Sequence, residues 1–239
     1  MSDKKFLATA SGTKGVIHLR DEVGPEWCGM ISDETIVAFL TANPNLDTIE
    51  LQINSPGGDC FTAMAIYNIL KASGAYIDVY IDGLAASAAT VIAMAGDRIT
   101  IAKNAMFMIH KCWCLIAGNE DELAAQIPVM RKIDDAMVDM YAERTMQSKS
   151  QIRAWMKAES WFSADEANKY GFADQIGLAS GAKASVAEGR FKNTPAALLS
   201  SETFPRRSAV ERWLKENAEH PRVAAARAAA AELQEIARS

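Results

Sequence analysis

Three short stretches carry the residues that can do chemistry: Ile53-Asn54-Ser55-Pro56-Gly57-Gly58, Gly83-Leu84-Ala85-Ala86-Ser87-Ala88-Ala89 and Met108-Ile109-His110. A serine hydroxyl attacks a carbonyl only when a base takes its proton, and the resulting tetrahedral oxyanion needs N–H donors already aimed at it. Ser87 supplies such a hydroxyl, and His110, 23 residues further on, supplies a base. The Gly57-Gly58 pair supplies backbone whose N–H can turn toward a substrate, because a residue without a Cβ permits close approach. Each piece alone has a plainer reading. A serine among alanines marks tight helix packing, Pro-Gly-Gly a turn, and a histidine after an apolar strand a satisfied core group. Together, in this order and each at the end of an element, they point to a serine hydrolase. His18, on an early strand, and His220, in the tail, are read as structural or solvated.

The elements that must position these groups alternate strand and helix. Val16-Ile17-His18-Leu19 reads as an opening strand, and Ser32 as the N-cap of a helix from Asp33 to about Ala42. Ile49, Leu51 and Ile53 alternate with Glu50 and Gln52, a strand pattern that delivers Gly57-Gly58 at its carboxyl end. Ala63, Ile66, Tyr67, Ile69 and Leu70 then recur at helical spacing. Ile77, Val79 and Ile81 mark the next strand, and a helix is expected from about Ala85 to Ala95. Strands at Arg98–Ala102 and Ala105–Ile109 follow. Short connections imply right-handed crossovers and a parallel sheet, with a ligand crevice at the carboxyl ends of the strands. The small side chains around Ser87 let that helix start approach the Gly58 loop, so the N–H groups of Gly58 and Ala88 are the expected oxyanion donors.

These three stretches, with Trp161-Phe162-Ser163-Ala164-Asp165-Glu166-Ala167 and Tyr170-Gly171-Phe172-Ala173-Asp174, resemble the Clp protease proteolytic subunit family (ClpP). They are closer still to the ClpP-like head-maturation (prohead) proteases of tailed bacteriophages. The resemblance runs from about Val16 to Gly177. It implies an α/β fold, the ClpP/crotonase-like spiral of β-β-α units, with a helical oligomerisation segment. It also implies a homo-oligomeric ring acting on polypeptide. Family members carry an aspartate just before a Phe-Leu-Ser-Ala segment to orient the histidine; the matching position here is Glu159. A glutamate can accept the same imidazole N–H, with more reach and more rotamer freedom. Asp134, Asp135 and Asp165 are alternatives, the first two on a helix expected to lie away from the site.

From Glu120 to about Met146 the chain reads as a long helix, with Leu123, Met130 and Met137 one heptad apart and Ile133 and Met140 in a second row. The family uses the corresponding region to dock one ring onto another; an ordinary core helix would carry the same rows. Pro128 is expected to kink this helix or to mark its start. The division expected is an N-terminal segment (1–15), a protease domain (16–180) and an extension (181–239), broken by Pro195, Pro205 and Pro221 before an Ala-rich helix from Val223 to Ala237.

Composition excludes other classes. The formal charge is −5 and 49% of residues are hydrophobic. Ten Lys or Arg against seven Asp or Glu give residues 182–239 a net +3 and leave −8 for the rest, with no dense basic patch for nucleic acid. No apolar run approaches the length of a membrane span, and no secretory signal is visible. Cys28, Cys60, Cys112 and Cys114 lack the spacing of a zinc site and read as reduced thiols in a cytoplasmic protein; the family resemblance implies that this is a bacterial or phage-infected host cytoplasm. Cys112-Trp113-Cys114 alternates as a strand would, and no cysteine occupies the nucleophile position. No metal or cofactor is expected. There is no Gly-x-x-x-x-Gly-Lys-Ser/Thr loop, so any ATP dependence belongs to a separate unfoldase. The reading favoured is a serine endopeptidase cutting scaffold or capsid precursors during phage head assembly. The rivals are a crotonase-like acyl-CoA enzyme and a catalytically inactive assembly scaffold.

Overall fold

The computed structural model describes residues 6–24, 31–114, 116–178, 186–188 and 190–203. The chain divides into two units, Met1–Ser185 and Val186–Ser239. In the first, β1 (Phe6–Ser11) and β2 (Lys14–Leu19) form an antiparallel hairpin whose turn uses Gly12 at φ +60°, a left-handed conformation that glycine adopts without penalty. There follow α1 (Asp33–Ala42), β3 (Thr48–Ser55), α2 (Cys60–Ala72) and β4 (Tyr76–Ala86). Ser32 caps α1 as expected, accepting the Thr35 N–H. Asp59 caps α2 in the same way through the Thr62 N–H.

Next come α3 (Ala88–Ala93), β5 (Arg98–Ala102), β6 (Met106–Ile109), α4 (Glu120–Thr145), α5 (Lys149–Ala158), β7 (Ser160–Ser163), α6 (Ala164–Lys169) and β8 (Gln175–Gly177). The fold is mixed α/β, as the sequence implies. The sheet runs β1-β2-β3-β4-β5-β8, and from β2 onward every neighbouring pair is parallel. β4 serves two neighbours on one side: Asp78–Ile81 pair with β5 and Leu84–Ala86 pair with β6, which in turn pairs antiparallel with β7. The sheet forks at Asp82-Gly83, and the branch carries the chain toward Ser87 and His110.

Strict alternation explains the core. Ile49, Leu51, Ile53, Ile77, Val79 and Ile81 point inward with Ala63, Ile66 and Leu70 of α2, all in one buried cluster. The outward face is polar, with Lys14 paired to Glu50 at 2.7 Å, Arg20 to Asp82 at 2.8 Å, and Arg98 to Asp78. Exposed pairs of this kind add little stability. Aromatic rings extend the same cluster into the later elements, with the Phe172 centroid 4.9 Å from that of Phe107 and 5.1 Å from that of Phe162 in tilted contact.

Three expectations change. The helix expected from about Ala85 begins at Ala88 and ends at Ala93, because Ala85 and Ala86 are taken into β4 by pairing with β3 and β6. Local helix preference yields to the ladder bonds of a buried strand. Pro128 does not start α4, whose N-terminus is set at Asn119 and Glu122 by a reciprocal capping box. Residues 111–114 form no strand, although the Cys112 and Cys114 thiols both reach Met130. No described helix is long and apolar enough to cross a membrane.

In the second unit, β9 (Val186–Glu188) and β10 (Leu199–Thr203) pair in parallel, joined through a 3₁₀ turn at Ala196–Leu198. The expected helix at Val223–Ala237, with Pro205, Pro221 and His220, lies outside the described residues, as does Cys28.

Candidate active site

Ser87 stands at the sharp turn between β4 and α3 with φ +55° and ψ −127°, outside the conformations a non-glycine residue ordinarily takes. A serine lifted on a strained strand-to-helix turn has its oxygen projected clear of the backbone. The turn is held by the Ser87 N–H donating to Met108 O at 2.9 Å and by the Ser87 carbonyl accepting the Thr90 N–H at 2.9 Å. Because Met108 lies on β6, that bond ties the turn to the strand that leads into His110.

The Ser87 Oγ lies 2.7 Å from His110 Nε2. That distance suits a hydrogen bond in which an imidazole protonated on Nδ1 would accept the serine proton through Nε2. The two groups expected to meet are brought together just beyond a strand pair, in which Ala86 opposes Met108 in register.

Gly57 and Gly58 follow β3. Ser55, fully buried, shapes the turn: its hydroxyl donates to Asp21 O at 2.5 Å and accepts the Gly57 N–H at 3.1 Å. Val23 bridges the turn from the other side, donating to Gly57 O at 3.0 Å and accepting the Asp59 N–H at 2.8 Å. In an extended segment alternate residues point opposite ways, so the Gly58 N–H faces away from Val23. Among the described residues neither that N–H nor the Ala88 N–H has a hydrogen-bond acceptor. A Cβ at Gly57 would stand 2.7 Å from Ala88 N and 2.4 Å from Ala86 O, and a Cβ at Gly58 would stand 1.9 Å from Val23 O. Both positions demand glycine.

Glu159 caps the C-terminus of α5 in the left-handed conformation, immediately before β7. In the antiparallel pair of β6 and β7, Ile109 opposes Ser160 as the last pair of the ladder, so His110, which follows β6, and Glu159, which precedes β7, flank the same end of it. Asp134 is nearer than expected, with one oxygen 2.8 Å from the Cys112 N–H and the other 3.1 Å from Lys111 Nζ. α4 therefore passes beside the segment after His110, not away from it, but both Asp134 oxygens are engaged there. Asp135 pairs with Arg153 at 2.5 Å, and Asp165 is exposed in the first turn of α6.

Sequence reasoning did not single out Ser55, Val23, Thr90 or Tyr141, which shape the site through backbone bonds or buried hydroxyls. Burial pushes the Cys60 thiol up to about 11 and that of Cys112 up to about 12, leaving both poor nucleophiles at neutral pH. A cavity of about 180 Å³ opens beside Lys111, Arg131, Asp134 and Arg153, and neither Ser87 nor His110 lines it. Among the described residues no group of three or more His, Cys, Asp or Glu side chains converges to hold a metal ion.

Comparison with known proteins gives one consistent result. The family model described as Clp protease matches residues 13–179. The ATP-dependent Clp protease proteolytic subunit of Deinococcus radiodurans is 32% identical over 149 residues, 59% of this chain and 72% of that protein. The proteolytic subunit 1 of Corynebacterium jeikeium is 32% identical over 158 residues, 65% of this chain and 81% of that protein. That of Mycobacterium leprae is 31% identical over 163 residues, 67% of this chain and 80% of that protein.

Proposed function

Since this chain belongs to the Clp protease family and is a serine peptidase, we propose that it cuts polypeptides through Ser87, His110 and Glu159, with Gly58 and Ala88 as oxyanion donors. The reading is carried by the 2.7 Å approach of Ser87 Oγ to His110 Nε2. His110 takes the hydroxyl proton as Ser87 Oγ bonds to the substrate carbonyl carbon, and the carbonyl oxygen becomes an oxyanion facing the two N–H groups. The C–N bond then breaks, the amine leaves with the proton from His110, and an acyl ester remains on Ser87. Water, deprotonated by His110, hydrolyses that ester and restores the serine. The Glu159 carboxylate accepts a hydrogen bond from the His110 Nδ1–H and so steadies the imidazolium without taking its proton; its position directly before β7, at the end of the ladder where β6 runs on to His110, supports this role.

The chain works as a homo-oligomeric ring, a state supported by the exposed apolar residues Leu123, Ile127 and Val129 of α4. Its substrates are scaffold or capsid precursors of a phage head, cut in the cytoplasm where the free Cys60, Cys112 and Cys114 thiols persist. That substrate class is supported by the resemblance of its motifs to the head-maturation enzymes and by the 60 residues beyond the Clp protease match. A second reading, a subunit served by an ATPase, is favoured by the ATP-dependent relatives; the ATPase would be another chain. Co-expression with the head proteins, followed by mass spectrometry of the products, tests the proposal. Discrete precursor cleavage without an ATPase, abolished by Ser87→Ala, is expected. Cleavage that continues in Ser87→Ala contradicts the nucleophile, and cleavage that needs an added ATPase favours the second reading.

A further inference from the structure

Directly under the Ser87 turn lies a polar pair that the mechanism above does not use. Thr90 of α3 and Tyr141 of α4 are 0% and 1% exposed. Their hydroxyl oxygens are 2.6 Å apart, and Thr90 Oγ1 is 2.5 Å from the Ser87 carbonyl oxygen. The direction of these bonds follows from what each group can do. A carbonyl only accepts, so the single Thr90 proton goes to Ser87 O, and Tyr141 must donate to Thr90. Burial raises the Tyr141 phenol well above its ordinary range, which keeps it a donor at any working pH.

The peptide joining Ser87 to Ala88 is planar and trans, so its C=O and N–H point in opposite directions. Whatever holds the carbonyl aims the amide. We infer that Tyr141 and Thr90 form a buried hydroxyl relay that fixes the Ser87–Ala88 peptide and so aims the Ala88 N–H at the substrate oxyanion. They are positioning residues, and the inference rests on the roles proposed above for Ser87 and Ala88. Two further observations support it. The combination of φ +55° and ψ −127° at Ser87 is a strained state that persists only where surrounding bonds enforce it, and rotation of this peptide, which changes ψ, would carry Ser87 toward the less strained left-handed region. On the opposite side, the missing Cβ of Gly57 leaves the space before the Ala88 N–H open. Each bond in such a chain polarises the next, so the terminal Tyr141 proton strengthens the hold of Thr90 on the carbonyl.

The test separates aim from packing. Thr90→Val combined with Tyr141→Phe removes both hydroxyls, keeps the shapes and leaves no orphaned polar group, so the fold is retained. Reaction with a fluorophosphonate is followed by intact mass: the Ser87 oxygen bonds to phosphorus, fluoride leaves, the proton passes to His110, and a phosphonyl oxygen takes the oxyanion position. The double variant is expected to lose at least about tenfold in the maximal labelling rate, since a full oxyanion donor is worth about 10²–10³. Its half-saturating probe concentration and the pH midpoint of labelling, which His110 sets, should stay unchanged. Thr90→Ser, which keeps the hydroxyl, should restore most of the rate. Labelling of the double variant at the wild-type rate overturns the relay, as does a loss accompanied by a shifted pH midpoint or weaker probe binding. Persistent labelling of Ser87→Ala overturns the nucleophile and the relay together; a silent Ser87→Ala with a fully active double variant overturns the relay alone.

Discussion

Gly57 marks how little room the Ser87 turn leaves. Its φ of +84° already disfavours a side chain, and a methyl there would press on Ala86 O and Ala88 N. Gly57→Ala should therefore move the turn and lower peptide turnover by about 10²-fold or more, the usual effect of misplacing a reacting group by an ångström. Turnover by that variant within a few-fold of wild type would mean that the proposed oxyanion site lies elsewhere. Glu159 makes a different test, because its proposed role is electrostatic. Glu159→Gln keeps the shape, removes the charge proposed to orient His110 and should cut turnover by up to about 10⁴. The same loss from Asp134→Asn, with Glu159→Gln unaffected, would transfer the role to Asp134.

At the scale of elements, the site depends on where strands stop. β4 ends at Ala86 and β6 at Ile109, and the ladder between them sets Ser87 beside His110. Those two side chains were legible because serine and histidine carry distinct chemistry and each closes an apolar run. The end of β4 was not legible: Leu84-Ala85-Ala86 is made of good helix formers, and only pairing with β3 and β6 makes it strand. The β1 hairpin strand escaped notice because Phe6–Ser11 has weak alternation and gains its order from β2. Thr90 and Tyr141 were invisible for another reason, since 51 residues separate them and neither looks reactive alone. β7, which leads from Glu159, is closed by α6 and its Ser163–Glu166 capping box. Ser163→Ala should cost about 1 kcal/mol and lower the melting temperature by about 2–4 °C. A melting temperature unchanged in calorimetry would show that the box does not hold that end.

For the molecule as a whole, the two ends of α4 have different surroundings. Met137, Val138 and Tyr141 are buried near its C-terminal end, whereas Leu123, Ile127 and Val129 near its N-terminal end stand 43%, 50% and 44% exposed. The heptad row of Leu123, Met130 and Met137 thus divides between solvent and core, which the spacing alone did not reveal. An exposed apolar stretch of this kind marks an association surface. Native mass spectrometry of Ile127→Asp should show smaller assemblies than wild type with unchanged helix content by circular dichroism. Identical assemblies would remove α4 from the proposed ring contact.

All of these outcomes presuppose that one hydroxyl, one imidazole and two backbone amides converge on a single reacting carbon. A crystal structure of the protein after reaction with a fluorophosphonate tests this most directly. It should show phosphorus bonded to Ser87 Oγ and a phosphonyl oxygen about 2.7–3.1 Å from the nitrogens of both Gly58 and Ala88. An adduct on any other residue, or a phosphonyl oxygen turned away from both amides, would contradict the account.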